Sequence, residues 1–319
     1  MKEKIRRISD NKLVSYFSPL VLLVLMGLLF TALTGGRFIA ARNLKIILNQ
    51  SIVLAIVGTG AVFIYSTGNL NLAMGSSTAM ACMLGVNVYI KTGSFWLMLG
   101  SCVLLGVAIM MACCVLSHFL GVGIIVVTNV MMSLMLSLQQ WTLTAPIKMP
   151  LADMQALKNM NVPILLMLVF FAVCVFLFDG TKLGRMLKFI GENKTCAKMT
   201  GMNENRAIVI AFLISGISVG LAAAAFLIRN VSVSYNSCSS LNMDVILAIV
   251  LAGTPMMGGT RSKIYSGVVG GVMTSMLANG LIMVGVQSYY VQAIQGALFI
   301  VILTFGNKRP STLPVKDMF

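Results

Sequence analysis

Apolar runs of some twenty residues alternate with short polar breaks along nearly the whole chain. The runs show no period-two alternation. They predict helices long enough to cross a hydrocarbon layer, which takes about 20 residues each. They fall at 17–34, 46–65, 70–90, 95–117, 121–143, 163–178, 206–228, 244–257, 264–286 and 288–305. The first run follows a basic tail, MKEKIRRISDNK. It exceeds the roughly 7–15 apolar residues of a secretory signal, so it reads as an uncleaved first span. The runs at 70–90 and 244–257 are the least clearly delimited. The latter is short and leads into GTPMMGG, which predicts a broken or re-entrant helix.

Composition agrees with this pattern. The chain is 58% hydrophobic and 10% charged, with a mean hydropathy of +0.96; soluble domains carry about 25% charged residues. Backbone polar groups find no water in lipid, so spans are helical or belong to closed barrels. Barrel strands alternate in hydropathy, and these runs do not. The expected fold class is therefore all-α, a polytopic helical membrane protein of about ten spans. Residues 1–319 form one transmembrane domain, with tails at 1–16 and 306–319 and a loop at 179–205.

The net charge of +15 fits a membrane protein better than a nucleic-acid binder. Basic residues gather in cytoplasmic loops, where they fix orientation and meet anionic headgroups. With the N-terminus inside, sixteen lysines and arginines fall on the inner side and seven on the outer. Both termini and the 179–205 loop are then cytoplasmic. The seven cysteines include no CxxC and read as small hydrophobes. His118, the single histidine, has no ligand partners at metal spacing and is expected at a helix end. Small residues at 216 and 220, and at 267 and 271, predict close helix packing.

No P-loop, HExxH or GxSxG occurs. No carboxylate falls in the middle of a span; Asp244, at the start of one, reads as a helix-start acid. The chain thus has neither an ATP site of the usual kind nor an evident ion-coupling site. The polar island GENKTCAKMTG (191–201) then stands out. It predicts a helix, a glycine break, a second short helix from about Glu192 to Thr200, and an exit at Gly201. Glu192 near its start and Lys198 near its end would suit the helix dipole. The island is either a docking helix for a partner's groove or a solvated connection.

Three segments carry a family resemblance: TGNLNLAMGSSTAMAC (67–82), FIGENKTCAKMTGMNENRAIVIAFLISGISVGLAA (189–223) and NMDVILAIVLAGTPMMGGTRSKIYSGVVGGVM (242–273). Together they resemble the permease subunits of bacterial ABC importers for ribose, xylose, galactose and related sugars. Asn71, Ala73 and Arg261 depart from that family's usual Asp, Ser and Gly. The resemblance implies that Gly191, Glu192, Asn193, Thr195, Ala197, Met199 and Gly201 form a coupling helix against a cytoplasmic ABC ATPase. It also implies a second permease subunit, alike or closely related, and an extracytoplasmic solute-binding protein. ATP would be bound by the ATPase, with no cofactor or metal in this chain and no enzymatic activity. The location implied is the bacterial inner membrane.

A neutral polar solute needs weak hydrogen bonds along its path. The candidates within spans are Asn49, Gln50, Ser51, Ser76, Ser77, Asn129, Gln139, Gln140 and Asn279, with Asn71 in the first motif. Each could equally serve an interhelical hydrogen bond. The expected cargo is a monosaccharide. The alternatives are a nucleoside, a branched-chain amino acid or a sugar-like signalling molecule carried by the same kind of importer, or a self-sufficient secondary carrier.

Overall fold

The computed structural model describes residues 12–142, 145–235, 237–256 and 258–306. The tails at 1–11 and 307–319 lie outside the described residues. In chain order the helices are α1 (Lys12–Leu33), α2 (Ala41–Tyr65), α3 (Met74–Thr92), α4 (Phe95–Leu120), α5 (Ile124–Thr142), α6 (Leu151–Asn159), α7 (Val162–Val175), α8 (Lys182–Glu192), α9 (Lys194–Met199), α10 (Glu204–Asn230), α11 (Leu241–Leu251), α12 (Ser266–Met283) and α13 (Ser288–Gly306). A π turn, Phe176–Gly180, extends α7. Among the described residues, six helices are long and apolar enough to cross a membrane: α2, α4, α5, α7 with its π turn, α10 and α12. Pro19–Leu33, α11 and Ser288–Ile302 are shorter apolar helices. The protein is helical and suited to lipid, as expected.

Boundaries follow local chemistry. Helices α3 and α4 end on Gly93 and Gly121, both left-handed, as C-terminal glycines commonly are. Helix α11 stops after eleven residues, where Gly253 turns with φ 81°. Thr254 N–H then bonds back to Ile249 O at 3.1 Å and closes the end. At 1.5 Å per residue, α11 reaches only about 16 Å, roughly half of the hydrocarbon layer. The break expected near GTPMMGG is therefore present. Helix α3 starts later than expected, because the 66–73 backbone is spent in a turn described below.

The core is a set of paired helices: α2 packs along α12 and α10, and α10 along α4. Glycines let the backbones meet at several points along the seams. Gly58 lies against Gly267, and Gly271 against Ala55. Gly106 lies against Gly216 and Gly220. The small-residue spacing at 216/220 and 267/271 is thus used for backbone contact, the expected role. Outward faces carry exposed Leu28, Leu104, Phe119, Val130, Leu165 and Ile300. Trp96 and Trp141 are exposed where α4 begins and α5 ends. Six cysteines are buried and Cys196 is exposed. Two of the buried thiols act as weak donors, Cys82 to Ala223 O and Cys102 to Ala81 O, each at 3.4 Å. His118 sits in the last turn of α4.

The bundle has two differing ends. One carries α8, α9, the 66–73 turn and the 252–265 loop. The other carries α6 and a two-stranded antiparallel pair, Ile147–Lys148 with Ser232–Val233.

Candidate functional site

Three side-chain caps divide the 181–206 segment. Thr181 Oγ1 accepts from Leu183 N–H at 3.2 Å, which starts α8. Asn193 Oδ1 accepts from Thr195 N–H and Cys196 N–H at 3.0 and 3.1 Å, which starts α9. Asn203 Oδ1 accepts from Arg206 N–H at 3.1 Å, which starts α10. These are ordinary N-cap roles for Thr and Asn. The break between the short helices is therefore Asn193, not Gly191. Gly191 stays inside α8 because its bare Cα is needed for packing. A Cβ there would overlap Ser66 O and lie 2.5 Å from Gly259 N. The exit at Gly201 is as expected, with φ 77°.

Glu192 is consequently the last residue of α8, and not the first of α9. A carboxylate at a helix C-terminus is disfavoured by the dipole. Hydrogen bonds offset this: its Oε2 accepts from Thr260 N–H at 3.1 Å and Thr260 Oγ1–H at 3.2 Å. Next to it, Gly259 N–H donates to Ser66 O at 3.0 Å. Gly258, at φ 70°, leaves no room for a Cβ between Gly68 N, Ser66 O and Tyr65 O. The end of α2, the end of α8 and the 258–260 loop thus form one clasp. Each strand of it comes from, or directly abuts, one of the three sequence motifs.

Met199, Thr195 and Asn193 are exposed on α9 and its cap, whereas Ala197 is buried. Glu204 receives Lys194 at 3.4 Å and Lys198 at 3.2 Å. This ties both ends of α9 to the start of α10.

The 66–73 turn is held from several sides. Asn71 Oδ1 accepts from Ala73 N–H at 2.9 Å, an Asx-type turn. Asn71 Nδ2 donates to Met110 Sδ at 3.1 Å, and Tyr65 O–H to Asn71 O at 3.1 Å. Asn71 is buried within the chain's own contacts. The first amides of α3 are capped from a distant helix: Asn242 Oδ1 accepts from Gly75 N–H at 2.6 Å and Ser76 N–H at 3.3 Å. Ser76 O accepts from Gln139 Nε2–H at 2.8 Å. Sequence reasoning passed over Asn242, whose only signal was its place at the head of the third motif. Replacing it with alanine removes a cap, and Asn242→Ala is expected to destabilise the protein by about 1 kcal/mol. A denaturation series in detergent micelles measures this.

The remaining candidates separate. Asn49 O accepts from Arg229 Nη1–H at 3.2 Å. Gln50 lines a cavity that also exposes Arg229 and Asp244. Ser51 and Ser77 are buried, and Asn129 and Gln140 are exposed. Asn279 Oδ1 is buried without a partner. Asn71, Ser76 and Gln139 therefore lie together around the start of α3. Asn49 and Gln50 lie towards the opposite end.

The chain resembles named proteins over most of its length. It is 25% identical to the ribose import permease protein of Escherichia coli K12, covering 92% of this chain and 93% of that one. It is 24% identical to the D-allose transport system permease protein of the same organism, covering 89% of each. It is 21% identical to the fructose import permease protein of Rhizobium meliloti, covering 89% of this chain and 82% of that one. No solved structure matches it. The family model described as branched-chain amino acid transport system / permease component matches residues 43–303, all three motifs included, and the chain belongs to that family of transport permeases.

Proposed function

We propose that this chain is the transmembrane permease subunit of an ATP-driven ABC importer that moves a monosaccharide into the cytoplasm. It crosses the inner membrane ten times, α1 and α3 being spans as well, with both termini and the clasp end on the cytoplasmic side. It pairs with a second permease subunit, receives solute from an extracytoplasmic binding protein, and takes its energy from an ATPase that binds the ATP. The observation that carries this reading is the clasp. It fixes α8, next to the exposed α9, to the end of α2 and to the 258–260 loop. A push on α9 would therefore reach the membrane helices. The relatives named for ribose, D-allose and fructose import support the choice of cargo.

Within this reading, Thr195 and Met199 touch the ATPase directly. Asn193 and Gly201 shape the turn, Gly191 and Glu192 hold the clasp, and Ala197 packs beneath. Single cysteines at Thr195 and Met199, with Cys196 replaced by serine, test it. Crosslinks to the partner ATPase that change with ATP are expected at both positions. Uniform reaction with a water-soluble thiol reagent and no crosslink would favour a self-sufficient carrier instead.

A further inference from the structure

A cavity of about 240 Å³ lies between α2, α10, α11 and α12, at the end opposite the clasp. Its polar lining is Gln50, Arg229, Ser240, Asp244, Thr274 and Ser275, and Phe226 and Ile282 form part of its apolar wall. Three of these groups carry a polar atom that the fold leaves unpartnered. Thr274 and Ser275 are 0% and 2% exposed, and neither hydroxyl has a hydrogen-bond partner. Asp244 Oδ1 is also buried and unpartnered. Buried polar atoms are normally satisfied, so three orphans around one cavity call for a guest. Ser240 and Gln295 stand beside the Asp244 carboxylate as hydrogen-bonding neighbours. Arg229 lines the same cavity but is not ion-paired with Asp244, and it spends one N–H on Asn49 O. Helix α11 places Asp244 here in its first turn.

We infer that this cavity is a binding site for one small polyhydroxylated ring on its way through the permease. Carboxylate and guanidinium offer acceptor and donor to vicinal hydroxyls, while Thr274 and Ser275 serve as either. The apolar wall faces the ring's C–H surface. The neutral hydroxyls and amides outnumber the charges, which favours a neutral polyol over a zwitterion. The choice of solute rests on the importer reading above; the existence of the site rests on the cavity alone.

The test uses the full chain in detergent micelles and saturation-transfer NMR, titrating D-ribose, D-allose, D-fructose, D-xylose, D-galactose and, separately, L-leucine. At least one sugar is expected to bind the parent protein. Asp244→Asn, which keeps the shape, and the pair Thr274→Val with Ser275→Ala are each expected to weaken it roughly tenfold, the usual effect of losing a hydrogen bond to a charged group or two neutral ones. Unchanged thermal unfolding of each variant serves as its folding control. Binding of L-leucine alone, lost in the same variants, overturns the polyol assignment. Sugar binding indifferent to every variant, or no binding at all, overturns the site. In either of those cases, nucleotide-dependent crosslinks at Met199 would leave the importer reading standing, so the two failures are separable.

Discussion

Solute uptake is expected to fall at least about tenfold when Gly191 is replaced by valine, because the overlap is with backbone and overpacking of this kind costs about 1–3 kcal/mol. The new side chain would strike Ser66 O and approach Gly259 N, the two partners of the clasp's own hydrogen bond. Neither atom belongs to a side chain that could turn away. The cheapest relief is for α8 to move off the 258–260 loop, which also parts Glu192 from Thr260. The rest of the bundle is not touched. On the proposed importer reading, the variant should therefore reach the membrane in ordinary amount and still crosslink to the partner ATPase at Met199, while uptake into vesicles falls. Retained uptake would show that the clasp has no part in energy transfer.

The largest loss of stability is expected from Gly220→Leu, about 3 kcal/mol, at the upper end of overpacking costs. A Cβ at this position overlaps Val103 Cα and lies 2.7 Å from both Cys102 O and Val103 N. The α4–α10 seam would have to open along its length, since Gly106 and Gly216 hold the same pair of helices equally close. Gly100→Leu is the matching control. It sits on α4 with nothing within 4 Å of the new carbon, and is expected to change stability by no more than about 0.5 kcal/mol. Urea or SDS unfolding of both proteins in micelles measures the difference. Equal midpoints would mean that the seam yields more easily than backbone contact implies.

Much of this could be read from the chain, and the rest shows where local pattern stops. Helix positions follow from apolar length, and the break after α11 from the glycines of GTPMMGG. Gly216, Gly220, Gly267 and Gly271 were legible because a spacing of four puts each pair on one helix face; their partners Gly58 and Gly106 were not. The role of Gly191 was not. Inside a polar island a glycine reads as a helix breaker, and only Ser66 O, from another part of the chain, makes it a packing residue. Glu192 was misplaced for the same reason, because moving the break to Asn193 reverses which helix end it occupies. Asn71 read as a pathway candidate because it is polar and near a span, but its bond to Met110, 39 residues away, was not legible. Asp244 read as a helix-start acid. Its cavity is assembled by four helices, and no window of sequence contains them together.

The clasp also has a mechanical property. Most interfaces in a protein meet through side chains, which can change rotamer and absorb a small displacement. Gly191 on Ser66 O, Gly258 on Tyr65 O and Gly267 on Thr59 are contacts of main chain with main chain. They form a series from the short helices to the 258–260 loop, the end of α2 and the face of α12. Close-packed matter of this kind has low compressibility and passes strain on. A thrust delivered at α9 would thus arrive at the membrane helices with little slack, as through a rigid linkage and not a spring.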